Sequence, residues 1–387
     1  MHKPQPNDFI NRFLIIFVLG FILTLPRSNY FFPNIGTRTS AFIEGIFQSL
    51  LDNPDLYLGS DSLLMYIYTA SLLLLSLICA FVWKKLQPKN TYHTFWLRRI
   101  STYYLAFALF LYGFNKLFKY QFGFPEPNIL FTPVGNLSPG MLYWTSMGTS
   151  YSYNLFSGLI EIIPAFLLLF SRTRLLGALI ALGVMVNVFM INIGFGIHVK
   201  LYSLFLLFLS VLIIWPSRRR LYNFFIRQTV TEGPAPELIP NLGFISRYQK
   251  WIKVAIIFLL LAETTSIYFK YGSINGDQLP RIAYHGAYDI EEETSEIKRI
   301  FIHQDGYFIT QDQKDTFTSY EFQSTDNNFI ITNNAKETIY LWMVTLEENE
   351  RYLLKGNFFG HQVEWRLAKI NLEQLRINTT QFHWVSD

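Results

Sequence analysis

The chain has 387 residues, of which 51% are apolar, 18% aromatic and only 16% charged, whereas an average soluble domain is about 25% charged. Its one cysteine, Cys79, excludes an internal disulfide, a CxxC redox pair and a thiolate metal site within the chain. The net charge of +4 sums two unlike parts, since residues 1–270 carry 22 Lys+Arg against 10 Asp+Glu and residues 271–387 carry 10 against 18; neither part shows the basic, aromatic-interleaved face of a nucleic-acid binder.

The hydrocarbon layer of a bilayer, roughly 30 Å thick, takes about 20 residues of apolar helix. Seven segments qualify: 10–26, 62–83, 99–118, 153–171, 174–192, 199–215 and 251–269. Lys and Arg favour the cytoplasmic side. With the N-terminus inside, the inner connections hold 16 of them and the outer ones 6, which predicts an inner-membrane protein with a cytoplasmic N-terminus and a periplasmic C-terminal region. The first segment also has the layout of a signal peptide, but LTLPRS is a poor cleavage site.

Among the outer loops, residues 119–152 are rich in Pro, Gly and aromatics. They read either as interfacial aromatics in packed turns or as a lid over an outward-facing cavity. On the inner side, TVTEGPAPELIPNLG breaks helical periodicity and reads as a linker. Beyond Lys270 short alternating runs follow one another: IKRIFIH, YFIT, TFTSYEF, NFIIT, TIYLWMV, RYLLKG, QVEWRLAKI and QFHWV. Seven or eight such strands predict an antiparallel meander closed into a small barrel or sandwich. Phe322, Phe329, Tyr340, Trp342, Phe382 and Trp384 are candidates to fill it. His285, His303, His361 and His383 lie in this region without any metal-ligand spacing, so no metal site is expected.

Ionisable groups within a span are costly and are default candidates for function. Lys116, Glu161, Asn187 and Glu263 fall at comparable depth in the outer third of their spans, with Asn115 beside Lys116 and with His198 and Lys200 at the rim. If they converge they form a pocket opening outward. The structural alternative is a Lys116–Glu161 ion pair that fixes helix packing, with Asn187 hydrogen-bonded between helices. Lys116, Glu161, Asn187 and Lys200 are the candidate ligand anchors; Asn115, His198 and Glu263 are accessory. No His lies within a span, and Rossmann and P-loop glycine patterns are absent. The chain therefore carries no cofactor of its own, and redox work would need a diffusible quinone or a partner subunit. No catalytic residue is indicated.

RRISTYYLAFALFLYGFNKLF, YNLFSGLIEIIPAFLLLFSRTRLLGALI and NVFMINIGFGIHVKLYSLFLL resemble the DoxX-type membrane proteins. Arg98 or Arg99, Gly113 with Lys116, and Gly158 with Glu161 occupy the family's motif positions. The likeness covers about residues 98–215 and is nearest to long Bacteroidetes-like members with extra spans and a β tail. It implies a four-helix core and raises the prospect of a quinone-linked oxidoreductase subunit; the extra spans and tail depart from the minimal family.

The expected architecture is thus a polytopic α-helical membrane bundle with a DoxX-like core and an all-β C-terminal domain. Its parts are N-terminal spans (1–97), core (98–227), cytoplasmic linker (228–250), last span (251–270) and periplasmic β domain (271–387). The expected ligand is a quinone or lipid, bound from the bilayer. The rival expectation is a non-enzymatic assembly protein whose β tail docks a membrane or periplasmic partner. Proton-coupled transport ranks last, because no inverted repeat is evident.

Overall fold

A computed structural model describes residues 8–24, 35–87, 92–230, 240, 243–292, 295–325, 327–346 and 350–379. The helices are α1 (Asp8–Thr24), α2 (Ile35–Leu51), α3 (Leu63–Leu86), α4 (His93–Leu117), α5 (Pro127–Leu130), α6 (Pro139–Thr149), α7 (Tyr151–Leu169), α8 (Arg174–Gly194), α9 (Lys200–Ile214), α10 (Arg218–Phe225) and α11 (Phe244–Lys270). The strands are β1 (Gly286–Ile290), β2 (Ile297–His303), β3 (Tyr307–Asp312), β4 (Phe317–Thr325), β5 (Asn328–Thr332), β6 (Thr338–Leu346), β7 (Arg351–Phe358) and β8 (His361–Lys369). The chain divides into two units, one of residues 1–121 and 152–274, the other of residues 122–151 and 275–387.

In the first unit, five helices among the described residues are long and apolar enough to cross a membrane: Leu63–Leu86, Tyr151–Leu169, Arg174–Gly194, Lys200–Phe225 and Arg247–Lys270. This is a multi-pass membrane protein. The outward side chains of α3, among them Leu74, Ile78 and Phe81, are apolar and exposed, as a lipid-facing surface requires. The other two apolar segments of the sequence also fold as helices. Of these, α1 has 17 residues and includes Asp8 and Arg12, and α4 includes Arg98, Arg99 and Lys116. Helix α4 runs through the core, with Leu105, Ala106, Ala108, Leu109 and Phe110 at most 1% exposed. A helix wrapped by others meets little lipid and tolerates more polar positions.

Two glycines set the closest approach in this unit. A Cβ on Gly113 of α4 would lie 3.0 Å from the Gly158 carbonyl oxygen, and one on Gly158 of α7 would lie 2.7 Å from the Gly113 oxygen and 2.9 Å from the Leu117 nitrogen. Small residues allow such backbone contact where no hydrophobic force draws helices together within lipid.

The second unit is a closed antiparallel barrel in the order β1 to β8. It closes through Tyr288↔Lys369, Asp289↔Ala368 and Ile290↔Leu367, so no edge strand remains. Side chains fill it: Ile300, Ile302, Phe308, Phe322, Phe329 and Leu354 are at most 5% exposed. The expected strands are present from IKRIFIH to QVEWRLAKI, while QFHWV, with Phe382, His383 and Trp384, lies outside the described residues. Strand β1, which the alternation did not reveal, closes the ring. A second correction concerns Tyr340 and Trp342, which are 68% and 53% exposed, whereas Leu341 and Met343 are 2% and 1%. Strand side chains alternate, and pairing of Leu341 with Gly356 and Met343 with Leu354 puts the aliphatic set inside and both aromatics outside.

Residues 122–151, between α4 and α7 in sequence, fold with the barrel. Phe131 packs against Phe301 with tilted rings, and the Arg299 guanidinium lies 4.6 Å from the Phe131 ring centroid. Phe122 is buried against Tyr143 and Trp144. Most of the Pro-rich linker, residues 231–239 and 241–242, lies outside the described residues.

Candidate functional site

Lys116 lies three residues after Gly113 on α4, and Glu161 three residues after Gly158 on α7. Residues three apart share a helix face, so the glycine contact brings the two charges together. Lys116 Nζ donates to both Glu161 oxygens, at 2.6 Å each. Lys116 is 7% and Glu161 2% exposed. The Tyr112 ring centroid, one turn back along α4, is 5.9 Å from Nζ. Tyr112 packs against Tyr202 of α9 at 6.1 Å between centroids, and the Tyr202 hydroxyl lies 3.5 Å from that of Tyr104. A tyrosine seam thus leads along α4 and α9 to the ion pair.

On another side of α4, the Tyr268 hydroxyl of α11 donates to Asn115 Oδ1 at 2.8 Å. Glu263 is also buried on α11, at 3% exposure, next to the fully buried Thr264. Lys116, Glu161, Asn115 and Glu263 are therefore polar groups held within or beside the helical core.

The other expected members lie elsewhere. Asn187 is on the exposed face of α8, which corrects its place in the polar layer. The inward stripe of α8 runs through Gly177, Ala178, Ala181, Met185 and Asn192; at about 100° per residue, Asn187 sits roughly 200° round from Met185. The buried amide is Asn192, which donates to Ser203 Oγ at 3.0 Å. His198 is exposed. Lys200 is held by Asp61, with Nζ to Oδ2 at 3.3 Å.

Asp61 is a structural device that the sequence reading missed. Its carboxylate accepts from the backbone nitrogens of Lys200 and Leu201 at 2.9 and 3.0 Å, so it caps the start of α9 from a distant loop. The negative charge also opposes the positive end of the helix dipole. A second missed cluster lies at the opposite end of α4. There Arg12, 0% exposed, pairs with Asp8 at 2.8 Å and donates to the Gln87 carbonyl at 2.5 Å, while Asp8 also meets His93.

In the barrel unit, Glu126 precedes α5 and accepts from His285 Nε2 at 2.9 Å, the Gln304 nitrogen at 3.2 Å and Arg281 Nη1 at 3.3 Å. Burial raises the pKa of this carboxyl, but the His285 hydrogen bond, the nearby His303 and the Gln304 amide outweigh it and leave it below the ordinary value. Among the described residues no group of three or more His, Cys, Asp or Glu could hold a metal ion.

The fold and these contacts define a class: an integral membrane bundle with a buried lysine–glutamate pair at its core and an appended eight-stranded barrel. The chain belongs to the same family as the uncharacterized protein YwoB of Bacillus subtilis (strain 168), to which it is 35% identical over 127 residues, 33% of this chain and 80% of that protein. No family model matches the chain, and no solved structure matches it.

Proposed function

We propose that the helical unit is a DoxX-like bundle of seven spans in a bacterial inner membrane. Its N-terminus is cytoplasmic and its β domain periplasmic, and it binds an amphipathic ligand, a quinone or a lipid, beside Lys116 and Glu161. The carrying observation is the buried pair itself. Two charges at membrane depth cost more than two apolar side chains of like volume, and their retention is accounted for if they meet a ligand's carbonyl or headgroup. The tyrosine seam supports this, since flat aromatic walls with few polar anchors suit a quinone ring. Asn115 and Glu263 are the accessory groups on α4 and α11, while Lys200 contributes only as the closure of the α9 cap. On this reading the protein serves a quinone-linked redox system whose other components carry the cofactors.

Mass spectrometry of small molecules retained by the full-length protein in mild detergent tests the proposal. The expected result is a retained quinone or lipid that is lost in Glu161→Gln while the thermal transition persists. Finding nothing retained across several detergents overturns it.

A second reading, assembly of an envelope complex, is supported by the barrel. Its interior is occupied by its own side chains, which leaves the outer surface, with Tyr340 and Trp342, for protein docking. A stoichiometric partner co-purifying with the chain and lost on Trp342→Ala would favour it.

A further inference from the structure

Asn187 belongs neither to the buried ion pair nor to the α9 cap. It lies thirteen residues after Arg174 and seven before Gly194 on α8, about 20 Å from one end of that candidate span and about 10 Å from the other, so its short side chain stays within the hydrocarbon layer. Its amide is exposed and makes no hydrogen bond among the described residues. Hydroxyls in other spans return to their own helix: Thr69 donates to the Met65 carbonyl at 2.7 Å and Ser210 to the Leu206 carbonyl at 3.0 Å. The other amide of α8, Asn192, is held by Ser203. A carboxamide facing hydrocarbon without a partner is unfavourable, and polar side chains of spans characteristically bond across helices.

The face around Asn187 has the form of a helix-pairing seam. Leu176, Gly183, Asn187, Met190 and Gly194 fall within about 60° of one another at about 100° per residue, opposite the inward stripe through Ala178, Ala181, Met185 and Asn192. All five are exposed, and the last four follow at intervals of four, three and four, the alternation of knobs in a left-handed helix pair. A Cβ on Gly183 or Gly194 would meet nothing within 4 Å, so neither glycine serves packing inside the chain. Both leave room for the backbone of another helix, while Val186 and Ile193, 47% and 46% exposed, flank the seam on one side.

We propose that α8 pairs across this seam with α8 of a second copy of this chain, each Asn187 amide donating from Nδ2 to Oδ1 of its counterpart. A carboxamide carries both donor and acceptor, so two of them related by a two-fold axis satisfy each other. Copies of one chain cross the bilayer in the same direction. The axis therefore lies along the membrane normal, and every seam residue meets its own counterpart at equal depth. A helix of different sequence would have to offer a polar group at that same depth, whereas a second copy does so by symmetry. A single polar residue at such a position also fixes register and the number of helices. The pairing does not rest on the function proposed for Lys116 and Glu161.

The test is analytical ultracentrifugation of the full-length protein over a range of protein-to-detergent ratios, joined to cysteine cross-linking in native membranes. Wild type should be a dimer whose dissociation constant rises roughly tenfold in Asn187→Leu, the size of a lost interhelical amide pair, while Asn187→Gln should keep most of the affinity. Asn187 is exposed in the single chain, so both variants should retain wild-type helical content. In a Cys79→Ala background, Met190→Cys should cross-link into a dimer of the chain, and Leu74→Cys on the outward face of α3 should not. A wild type that stays monomeric overturns the proposal, as does an unchanged dissociation constant in Asn187→Leu or equal cross-linking at the two positions. Cross-linking of Met190→Cys solely to a different protein would identify another occupant of the seam and also overturn it.

Discussion

Gly113 and Gly158 each fill the space that a side chain on the other would need, with the carbonyl oxygen of one in the path of the other's missing Cβ. The obstruction at Gly158 is backbone throughout, whereas the nearest atom to a Cβ at Gly113 is a side-chain carbon of Ile162 at 2.6 Å, with the Gly158 oxygen next at 3.0 Å. Gly158→Ala should therefore destabilise the protein by about 1–3 kcal/mol, as overpacking does, and by more than Gly113→Ala. Gly183→Ala, where nothing lies within 4 Å, should be neutral or stabilising by up to about 1 kcal/mol. Thermal unfolding in one detergent checks the order.

The ion pair that these glycines bring together calls for a double-mutant cycle. Lys116→Met or Glu161→Met alone leaves an uncompensated buried charge and should cost about 3–5 kcal/mol, while the double replacement should recover most of that loss. Additive losses in the melting temperatures would mean that the two charges are not coupled.

Asp61→Ala removes the carboxylate that accepts from two backbone N–H groups at the start of α9, together with the partner of the Lys200 ammonium. The expected loss is about 1–2 kcal/mol, the upper part of the range for helix caps. Lys200→Gln, which leaves the cap in place, should lose less in the same assay.

Glu126 gives the barrel unit an acid dependence whose sign follows from its lowered pKa. A carboxyl that titrates lower when folded contributes stability that is complete above its unfolded value, ordinarily 4.5, and is lost as pH falls through the lower folded value. Melting temperatures at pH 7 and pH 3.5 should therefore converge between wild type and Glu126→Gln at the lower pH. An equal gap at both would show that the carboxylate charge is not responsible.

Neighbouring residues on β6 should respond unequally to truncation. Leu341→Ala empties a core position and should cost about 2–5 kcal/mol, whereas Trp342→Ala removes a larger but exposed side chain and should change stability by about 0.5 kcal/mol or less. Chemical unfolding followed by circular dichroism distinguishes them.

The legible and illegible parts of the molecule differ in how local their causes are. Lys116 and Glu161 are paired in the sequence by their comparable depth in two apolar segments, a signal carried within each span. The strands from β2 to β8 were visible in their own alternation. Asn187 was chosen by depth along its helix alone, whereas the small-residue stripe through Gly177, Ala181 and Met185 marks the inward face and leads to Asn192. Tyr340 and Trp342 are candidates for the interior as aromatics in an alternating run, but in a strand the face is set by pairing with the neighbour. Strand β1 and the Asp61 cap depend on partners far along the chain, Lys369 in one case and Lys200 in the other, and no local pattern announces either.

The barrel unit draws residues 122–151 and 275–387 from either side of a helical stretch, residues 152–274. A folded unit cannot be divided by a bilayer, so the chain must depart from and return to the same face, and the crossings between must be even in number. Four candidate spans fall in that interval: Tyr151–Leu169, Arg174–Gly194, Lys200–Phe225 and Arg247–Lys270. Parity thus ties the number of crossings in that interval to the completion of the barrel unit. Loss of any one of those crossings would leave the barrel on one face and its own α5–α6 segment on the other.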